Sequence, residues 1–438
     1  MRHLGLMIRI LRPRVRTPDA NAADRLRRLR STISRAYDEV PFYRVLYDGA
    51  GMKPSDIRGL KDLERFPPAT KTALRAARRE ELVSRRFDPS ALVVTRTSGS
   101  TGIPIDIYQS PAENFLFHLI KFRALRAMGL GWRDRTVRLR NRVYSRPPVS
   151  WRILQEMGFL RQENLDPDEP GDLVAGLRGL RADVMTGYTG SLARISRKLA
   201  GDPDRTLYPR FVVGGAETMT PFFRSEIREG FGCPVLDNYL CTEVGLIAWE
   251  CPASGLYHVV DDALIVEVLK DGAACGPGEE GEIVVTSLVS RAMPFIRYRL
   301  GDSVKIAKEA CPCGRPGTTF ERILGKTQDF FWLPDGREIN PWFVSGHWMD
   351  GASWIRQFEV VQDSPVSMVI RIVADGSPPA SELADFTARS RTVLGPGVEF
   401  RVEFVPEIPP GPGGKVRFHR SLVRSIYDNP LDRGWLGS

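Results

Sequence analysis

Apolar residues recur at helical spacing in two parts of the chain. One set predicts a helix within residues 21–47 that packs on the main body, and it comprises Leu26, Leu29, Ile33, Ala36 and Tyr37. This helical pattern ends in the stretch Val40-Pro41-Phe42-Tyr43. A second helix is predicted from Pro111 to Met128.

Short apolar runs elsewhere predict buried strands. Residues 91–94, 182–188 and 210–215 have this pattern, and helical segments follow the second and third runs. Strands that alternate with helices predict an α/β fold with mostly parallel sheets and ligands bound at the strand ends. Pocket walls are expected near Arg140, Tyr188, Gly214 and Gly245.

The last hundred residues have a different pattern. Strand-like alternation at 358–361, 366–372 and 398–404 is interrupted by a helical stretch at 381–394, which predicts a small α+β domain. A chain of 438 residues is also longer than one hydrophobic core usually grows. We therefore expect one large and one small domain.

Composition narrows the possible functions. The net charge is +9, but arginine is scattered through every segment without a basic stripe, so no nucleic-acid partner is expected. The charge fits anionic small-molecule ligands instead. No stretch is long enough to span a bilayer, which favours a cytoplasmic protein without membrane contact. Six cysteines at unequal spacing then predict thiols or metal ligands.

A loop rich in hydroxyls and glycine follows the first predicted strand. It can present backbone N–H groups and side-chain hydroxyls to phosphate, and its candidate ligands are Thr97, Ser98, Gly99, Ser100, Thr101 and Gly102. The Gly-Lys-Ser/Thr ending of a Walker A motif is missing. Taken alone, the loop has an alternative interpretation as an ordinary Ser/Gly turn between two strands.

The loop resembles the phosphate loop of the adenylate-forming superfamily, and four later stretches extend the resemblance. They are Gly214-Gly215-Ala216-Glu217, Asp237-Asn238-Tyr239-Leu240-Cys241-Thr242-Glu243, Tyr298-Arg299-Leu300-Gly301-Asp302 and the loop around Lys415. The run from Tyr37 to Ile57 resembles the phenylacetate-CoA ligase branch. The resemblance covers nearly the whole chain and implies binding of ATP and Mg²⁺.

This resemblance assigns roles to individual residues. It implies that Gly214, Gly215, Ala216 and Glu217 form the purine surface, together with Asp237, Asn238 and Tyr239. Tyr239 would stack on adenine, Thr242 would bond a phosphate and Glu243 would hold Mg²⁺. Asp302 would accept the ribose hydroxyls, because a carboxylate accepts two hydrogen bonds at once.

The resemblance also predicts a hinge and a catalytic lysine. Residues 322–329 resemble the hinge between a domain of residues 1–325 and a mobile lid of residues 326–438. Lys326 and Gln328 replace the usual arginine and hinge aspartate, with Lys326 still near the nucleotide and Gln328 as the pivot. Lys415 would bridge the carboxylate substrate and the α-phosphate.

A second group of residues is independent of the nucleotide motifs. Cys251, His258, Cys311 and Cys313 supply three thiolates and an imidazole, a common ligand set for structural Zn²⁺. The Cys-x-Cys spacing is tighter than the usual knuckle, and free buried cysteines are the alternative.

The resemblance implies a ligase that activates a carboxylic acid, aromatic or heteroaromatic, as an acyl-adenylate and transfers the acyl group to CoA. One alternative sends the acyl group to an amine or a carrier protein, as the stretch Leu333-Pro334-Asp335-Gly336-Arg337 suggests by its similarity to capsule-biosynthesis relatives. Another alternative is a nucleotide-binding protein without catalysis, which retention of Glu243 and Lys415 disfavours. A monomer or homodimer is expected.

Overall fold

The computed structural model describes residues 18–96, 105–139, 161–165, 173–200, 209–219, 221–326, 331–335, 338–339, 354–374, 376–409 and 419–423. The helices are α1 (Pro18–Glu39), α2 (Pro41–Gly49), α3 (Lys71–Ala76), α4 (Arg79–Leu82), α5 (Pro111–Ala127), α6 (Leu173–Leu180), α7 (Thr189–Ala200), α8 (Pro221–Phe231) and α9 (Ala380–Leu394). None of these helices is both long and apolar enough to cross a membrane.

The first ten strands are β1 (Val93–Arg96), β2 (Asp106–Gln109), β3 (Arg135–Leu139), β4 (Arg161–Leu165), β5 (Val184–Thr186), β6 (Phe211–Gly215), β7 (Val235–Cys241), β8 (Gly245–Glu250), β9 (Tyr257–Val259) and β10 (Leu264–Lys270). The remaining strands are β11 (Ala273–Ala274), β12 (Glu280–Ser287), β13 (Tyr298–Ile306), β14 (Thr319–Lys326), β15 (Phe331–Trp332), β16 (Glu338–Ile339), β17 (Ile355–Ser364), β18 (Ser367–Ala374), β19 (Glu399–Phe404) and β20 (His419–Ser421).

The predicted helices form, with boundaries set by proline. Residues 21–47 fall into two helices because Val40 is extended and Pro41 begins the second helix. Helix α5 begins at Pro111 behind a capping box, in which Ser110 accepts from the backbone of Glu113 and Glu113 accepts from the backbone of Ser110. Glu113 also accepts from the backbone N–H of Ala292 over 2.9 Å, which ties the start of α5 to the chain before β13.

The main sheet has 12 strands in the order β11-β10-β12-β13-β14-β9-β8-β7-β6-β5-β3-β4. Strands β4, β3, β5, β6 and β7 run parallel, whereas β7 with β8, β8 with β9 and β9 with β14 are antiparallel. The predicted α/β class is confirmed. The sheet is mixed and not mostly parallel, because only the strands from β4 to β7 in this order run parallel. The antiparallel side begins where the tight turn after Cys241 reverses the chain.

The N-terminal helices hold the chain before β13. Tyr43 is fully buried, and its hydroxyl donates to the carbonyl of Pro294 and accepts from the N–H of Ile296. The next residue, Arg297, has a left-handed backbone with φ of 45°. Its buried guanidinium pairs with Glu267 over 2.8 Å and donates to the carbonyls of Glu64 and Phe66, which compensates for this conformation.

The chain divides into two compact units. The larger contains most residues up to Ile323, and the smaller begins at Leu324 and takes in the short pieces Thr220–Phe222 and Gly301–Ser303. The smaller unit holds a four-stranded sheet in the order β19-β18-β17-β20. A boundary of domains at residue 325 stays a prediction.

Candidate active site

A cleft lies at the carboxyl ends of the parallel strands β3, β5, β6 and β7. Residues from these strands, the chain just beyond them and helix α5 line it, namely Lys121, Arg138, Leu139, Thr186, Gly187, Tyr188, Val213, Gly214, Gly215, Ala216, Asn238 and Leu240. This edge is where α/β sheets bind ligands, as the sequence pattern predicts. The lining includes the expected Tyr188 and Gly214, while Gly245 lies against Phe117 of α5. Arg140 lies outside the described residues.

Close packing explains the two glycines at the end of β6. A side chain at Gly215 would place its Cβ 3.0 Å from the backbone oxygen of Asn238 on β7. A side chain at Gly214 would meet Thr189 at 3.1 Å and would collide with Met219. Ala216 then takes a left-handed conformation with φ of 65°, which turns the chain sharply off the strand. The bend leaves backbone as the floor of the cleft.

Glu217 stabilises this bend. Its carboxylate accepts from the N–H of Gly190 over 2.6 Å, at the start of α7. A carboxylate is favoured there because the first N–H groups of a helix lack partners within the helix. The side chain of Glu217 therefore joins the loops that follow β5 and β6.

Thr242 and Glu243 lie in the turn between β7 and β8. Thr242 is half-buried, and Glu243 is 7% exposed. The hydroxyl of Tyr298, at the start of β13, donates to Glu243 over 3.1 Å. Two predicted motifs thus meet at one carboxylate, whose second oxygen has further capacity to bind a cation.

Tyr239 and Asp237 lie deeper than the sequence suggests. Tyr239 is 8% exposed and belongs to the hydrophobic core of the larger unit. Asp237 turns its carboxylate inward, where it accepts from the hydroxyl of Tyr257 over 3.0 Å and from the N–H of Asn238. Burial raises the pKa of Asp237 to about 6. This carboxylate is therefore held inside the protein by Tyr257 and the backbone of Asn238.

An ion pair lies beside Asp237. Arg224 of α8 pairs with Glu250 of β8 over 2.9 Å and donates to the carbonyl of Val235. Burial raises the pKa of Glu250 to about 7, against the opposing effect of Arg224. Because Arg224 bonds the backbone of Val235, the first residue of β7, the ion pair supports the strand that carries the motif.

The four predicted metal ligands lie together. The ligand atoms of Cys251, His258, Cys311 and Cys313 are all within 4.8 Å of one another. The Sγ of Cys313 is 3.3 Å from Nε2 of His258, and the ring of Trp249 stacks on His258 at 4.8 Å. The β8–β9 hairpin and the pairing of β9 with β14 bring the two halves of the cluster together.

The structure describes only some of the other predicted site residues. Asp302 is 9% exposed in β13, and Lys326 is the last residue of β14. The phosphate loop with Thr97, Ser98, Gly99, Ser100, Thr101 and Gly102, the hinge residue Gln328 and Lys415 lie outside the described residues.

The structure also reveals site residues that sequence reasoning missed. Lys121 and Arg138 both line the cleft. Arg138 belongs to a strand with two arginines, and the sequence does not reveal which of their side chains faces a cleft. Lys121 lies in helix α5 and belongs to no sequence motif.

The chain is similar to several characterised proteins. Residues 331–421 match the family described as CapK C-terminal domain. A phenylacetate-coenzyme A ligase of Thermus thermophilus is 29% identical over 337 residues, which are 69% of each chain. Protein CapK of Staphylococcus aureus is 22% identical over 383 residues, covering 84% of this chain and 83% of that protein.

Among solved structures, a 2-hydroxyisobutyryl-CoA ligase in the postadenylation state aligns with a TM-score of 0.77 at 22% identity. The alignment covers 96% of this chain and 93% of that one. The similarity confirms the predicted α/β fold class.

Proposed function

Because the chain is homologous to the phenylacetate-CoA ligases and has the fold of the adenylate-forming CoA ligases, we propose that it activates a carboxylic acid with ATP. The acid becomes an acyl-adenylate with release of pyrophosphate, and CoA then displaces AMP to give the acyl-CoA. The observation that carries the proposal is the hydrogen bond between Tyr298 and Glu243, because it joins two of the stretches that resemble the family's nucleotide motifs.

The nucleotide would lie at the ends of β6 and β7. Gly214, Gly215 and the bend at Ala216 offer a flat backbone surface for a purine. Glu243 and Thr242 would face the phosphates, where Mg²⁺ supplies charge neutralisation when bound. We assign the ribose hydroxyls to Asp302 and a supporting charge to Lys326, both from their sequence motifs.

Three further elements enter the proposal from the sequence alone. The hydroxyls and N–H groups of residues 97–102 would hold the phosphates, and Lys415 would stabilise charge that develops on the α-phosphate. Gln328 would be the pivot between the adenylation and thioester-forming arrangements, since a hinge needs only a residue that absorbs backbone rotation.

The cluster of Cys251, His258, Cys311 and Cys313 fits a structural zinc ion. Three sulfurs and one imidazole nitrogen within 4.8 Å can close on one tetrahedral ion with little movement. Four protein ligands would leave no open position, so the ion would serve the fold. It would fasten the β8–β9 hairpin to the turn before β14.

The proposed function differs from its alternatives in the molecule that accepts the acyl group. An amine or a carrier-protein thiol could take the acyl group from the same adenylate. Purified protein would receive Mg-ATP and a panel of aromatic and aliphatic acids, with CoA, amines or carrier protein offered in turn. We expect pyrophosphate release and an acyl-CoA by mass spectrometry. If the only product were an amide or an acylated carrier protein, the acceptor would be an amine or a carrier protein and not CoA.

A further inference from the structure

We propose that Tyr257 is a positioning residue that couples the cluster of four predicted metal ligands to the nucleotide site. This inference rests on the proposed function and adds a connection between its two sites. It starts from the main sheet, in which β9, β8 and β7 are neighbours. Strand β9 carries the ligand His258, the ligand Cys251 directly follows β8, and β7 carries the nucleotide motif.

Strand register places a first row of side chains between the two sites. His258 pairs with Trp249, and Trp249 pairs with Asn238. Directly opposed residues of neighbouring strands have their side chains on the same face of a sheet. The ring of Trp249 stacks on the ring of His258, with the centroids 4.8 Å apart. This row therefore extends from a metal ligand to Asn238, which lines the cleft.

A second row lies on the opposite face and contains Tyr257. This tyrosine directly precedes the ligand His258, so the two side chains face opposite sides of β9. It pairs with Glu250, the residue directly before the ligand Cys251. Its hydroxyl donates to the carboxylate of Asp237 over 3.0 Å, across the intervening strand β8. The neighbours of two metal ligands are thus joined to the nucleotide motif.

The second row is buried and has a further support from helix α8. Arg224 pairs with Glu250 over 2.9 Å and donates to the carbonyl of Val235, the first residue of β7. Tyr257, Glu250 and Asp237 are all buried. Loss of a hydrogen bond here leaves a buried polar group without its partner, which costs more free energy than the same loss at the surface.

Asp237 connects this row to the cleft. One oxygen of its carboxylate accepts from Tyr257, and the other accepts from the N–H of Asn238 over 2.9 Å. Asn238 is 2% exposed, and its side-chain oxygen has no hydrogen-bond partner among the residues that the structure describes. Buried polar atoms are normally paired, so this oxygen in the lining is available to a ligand. The hydroxyl of Tyr257 therefore restrains the residue that presents it.

A coupling of this kind acts in both directions. If a metal in the cluster holds Tyr257 and Asp237 in the arrangement that binds ATP, bound ATP must raise the affinity for the metal by the same factor. A metal that only stabilised the fold would leave the affinity of the folded protein for ATP unchanged. Binding measurements on the folded protein separate these two cases.

Calorimetry with Mg-ATP measures the contribution of the Tyr257 hydroxyl. Tyr257→Phe should keep its zinc and raise the Kd for Mg-ATP at least about 5-fold, the lower end of typical coupling between sites. Tyr47→Phe is the matched control, because Tyr47 is also buried and its hydroxyl has no partner among the described residues. The control should bind Mg-ATP as the wild type does. An unchanged Kd in Tyr257→Phe would overturn the inference.

Competition with a zinc-selective chelator tests the reciprocal effect and needs no variant of the cluster. With Mg²⁺ in excess, saturating Mg-ATP should lower the apparent Kd of the wild type for zinc at least about 5-fold. The effect should be smaller in Tyr257→Phe. This measurement on the wild type also decides the matter if the variant folds poorly.

The remaining outcomes are distinct. An equal effect of Mg-ATP on zinc affinity in wild type and Tyr257→Phe would show that the coupling bypasses Tyr257, and the inference would be wrong. It would be wrong also if Mg-ATP did not change the zinc affinity of the wild type, or if the wild type held no zinc. Failure of the zinc-loaded wild type to bind Mg-ATP at all would reject the proposed function itself.

Discussion

The hydroxyl of Tyr298 donates a hydrogen bond of 3.1 Å to the carboxylate of Glu243, which lies 55 residues earlier in the chain. Both side chains are buried, with exposures of 1% and 7%. The bond fixes the orientation of the carboxylate that we assign to Mg²⁺. It also couples the turn after β7 to the first residue of β13.

Removing this hydroxyl should weaken nucleotide binding. Tyr298→Phe leaves one oxygen of a buried carboxylate without its donor, a loss of about 1–3 kcal/mol. We expect the KM for Mg-ATP to rise about 10-fold, as 1.4 kcal/mol is a factor of ten. Tyr37→Phe, which removes a surface hydroxyl bonded to Asp48, is the matched control and should leave the KM unchanged.

Gly215, at the end of β6, should not tolerate a side chain. In Gly215→Ala the new Cβ would stand 3.0 Å from the backbone oxygen of Asn238, so β6 and β7 would have to separate slightly. We expect a loss of about 1–3 kcal/mol in the free energy of unfolding, as for other overpacked sites, and weaker ATP binding. Gly179→Ala in α6 meets nothing within 4 Å and should be at least as stable as the wild type.

The cysteine cluster should hold zinc. We expect one zinc ion per chain by elemental analysis, and Cys313→Ser should lose the metal and unfold at a lower temperature. Cys275→Ser, at a cysteine outside the cluster, should keep both metal and stability. Chelator treatment that leaves the unfolding temperature of the wild type unchanged would contradict a structural metal.

His419 should make the protein sensitive to acid. Burial lowers its pKa to about 3, and the rings of Phe331 and Phe358 lie about it at 6.1 and 5.9 Å. An unfolded histidine titrates near pH ~6.5, so the unfolded chain binds more protons between these pH values. The stability associated with the neutral ring is therefore fully present above pH ~6.5 and is lost as the pH falls toward 3.

The variant His419→Phe should remove this part of the pH dependence. The free energy of unfolding is measured with denaturant at pH values from 8 to 4. Its slope against pH should be smaller in the variant than in the wild type, by up to about 1.4 kcal/mol per pH unit. Parallel curves for the two proteins, offset by a constant amount, would mean that the histidine acts only through packing.

Motifs with unusual residue types were predictable, because chemistry rather than packing selects them. Cys251, His258, Cys311 and Cys313 are such a set, and the structure brings them together through one hairpin and one strand pairing. The parallel strands before Gly187 and Gly214 were predictable for a similar reason: apolar runs ending in glycine mark strand ends at ligand sites.

Residues whose role depends on side-chain direction were not predictable. In a strand, successive side chains face opposite sides, so Asp237 and Asn238 cannot both face the cleft, and only the structure shows that Asp237 points to Tyr257. Arg138 and Lys121 belong to an ordinary strand and helix by pattern. Tertiary packing alone places them in the lining.

The central claim is that the chain makes an acyl-adenylate, and acid-dependent exchange of labelled pyrophosphate into ATP measures that step directly. We predict exchange only when the acid is present, and a rate about 10²–10³-fold lower in Lys415→Ala than in the wild type. Lys308→Ala, at an exposed lysine outside the proposed site, should exchange at the wild-type rate. Release of ADP and phosphate in place of AMP and pyrophosphate, with no exchange in the wild type, would contradict the account.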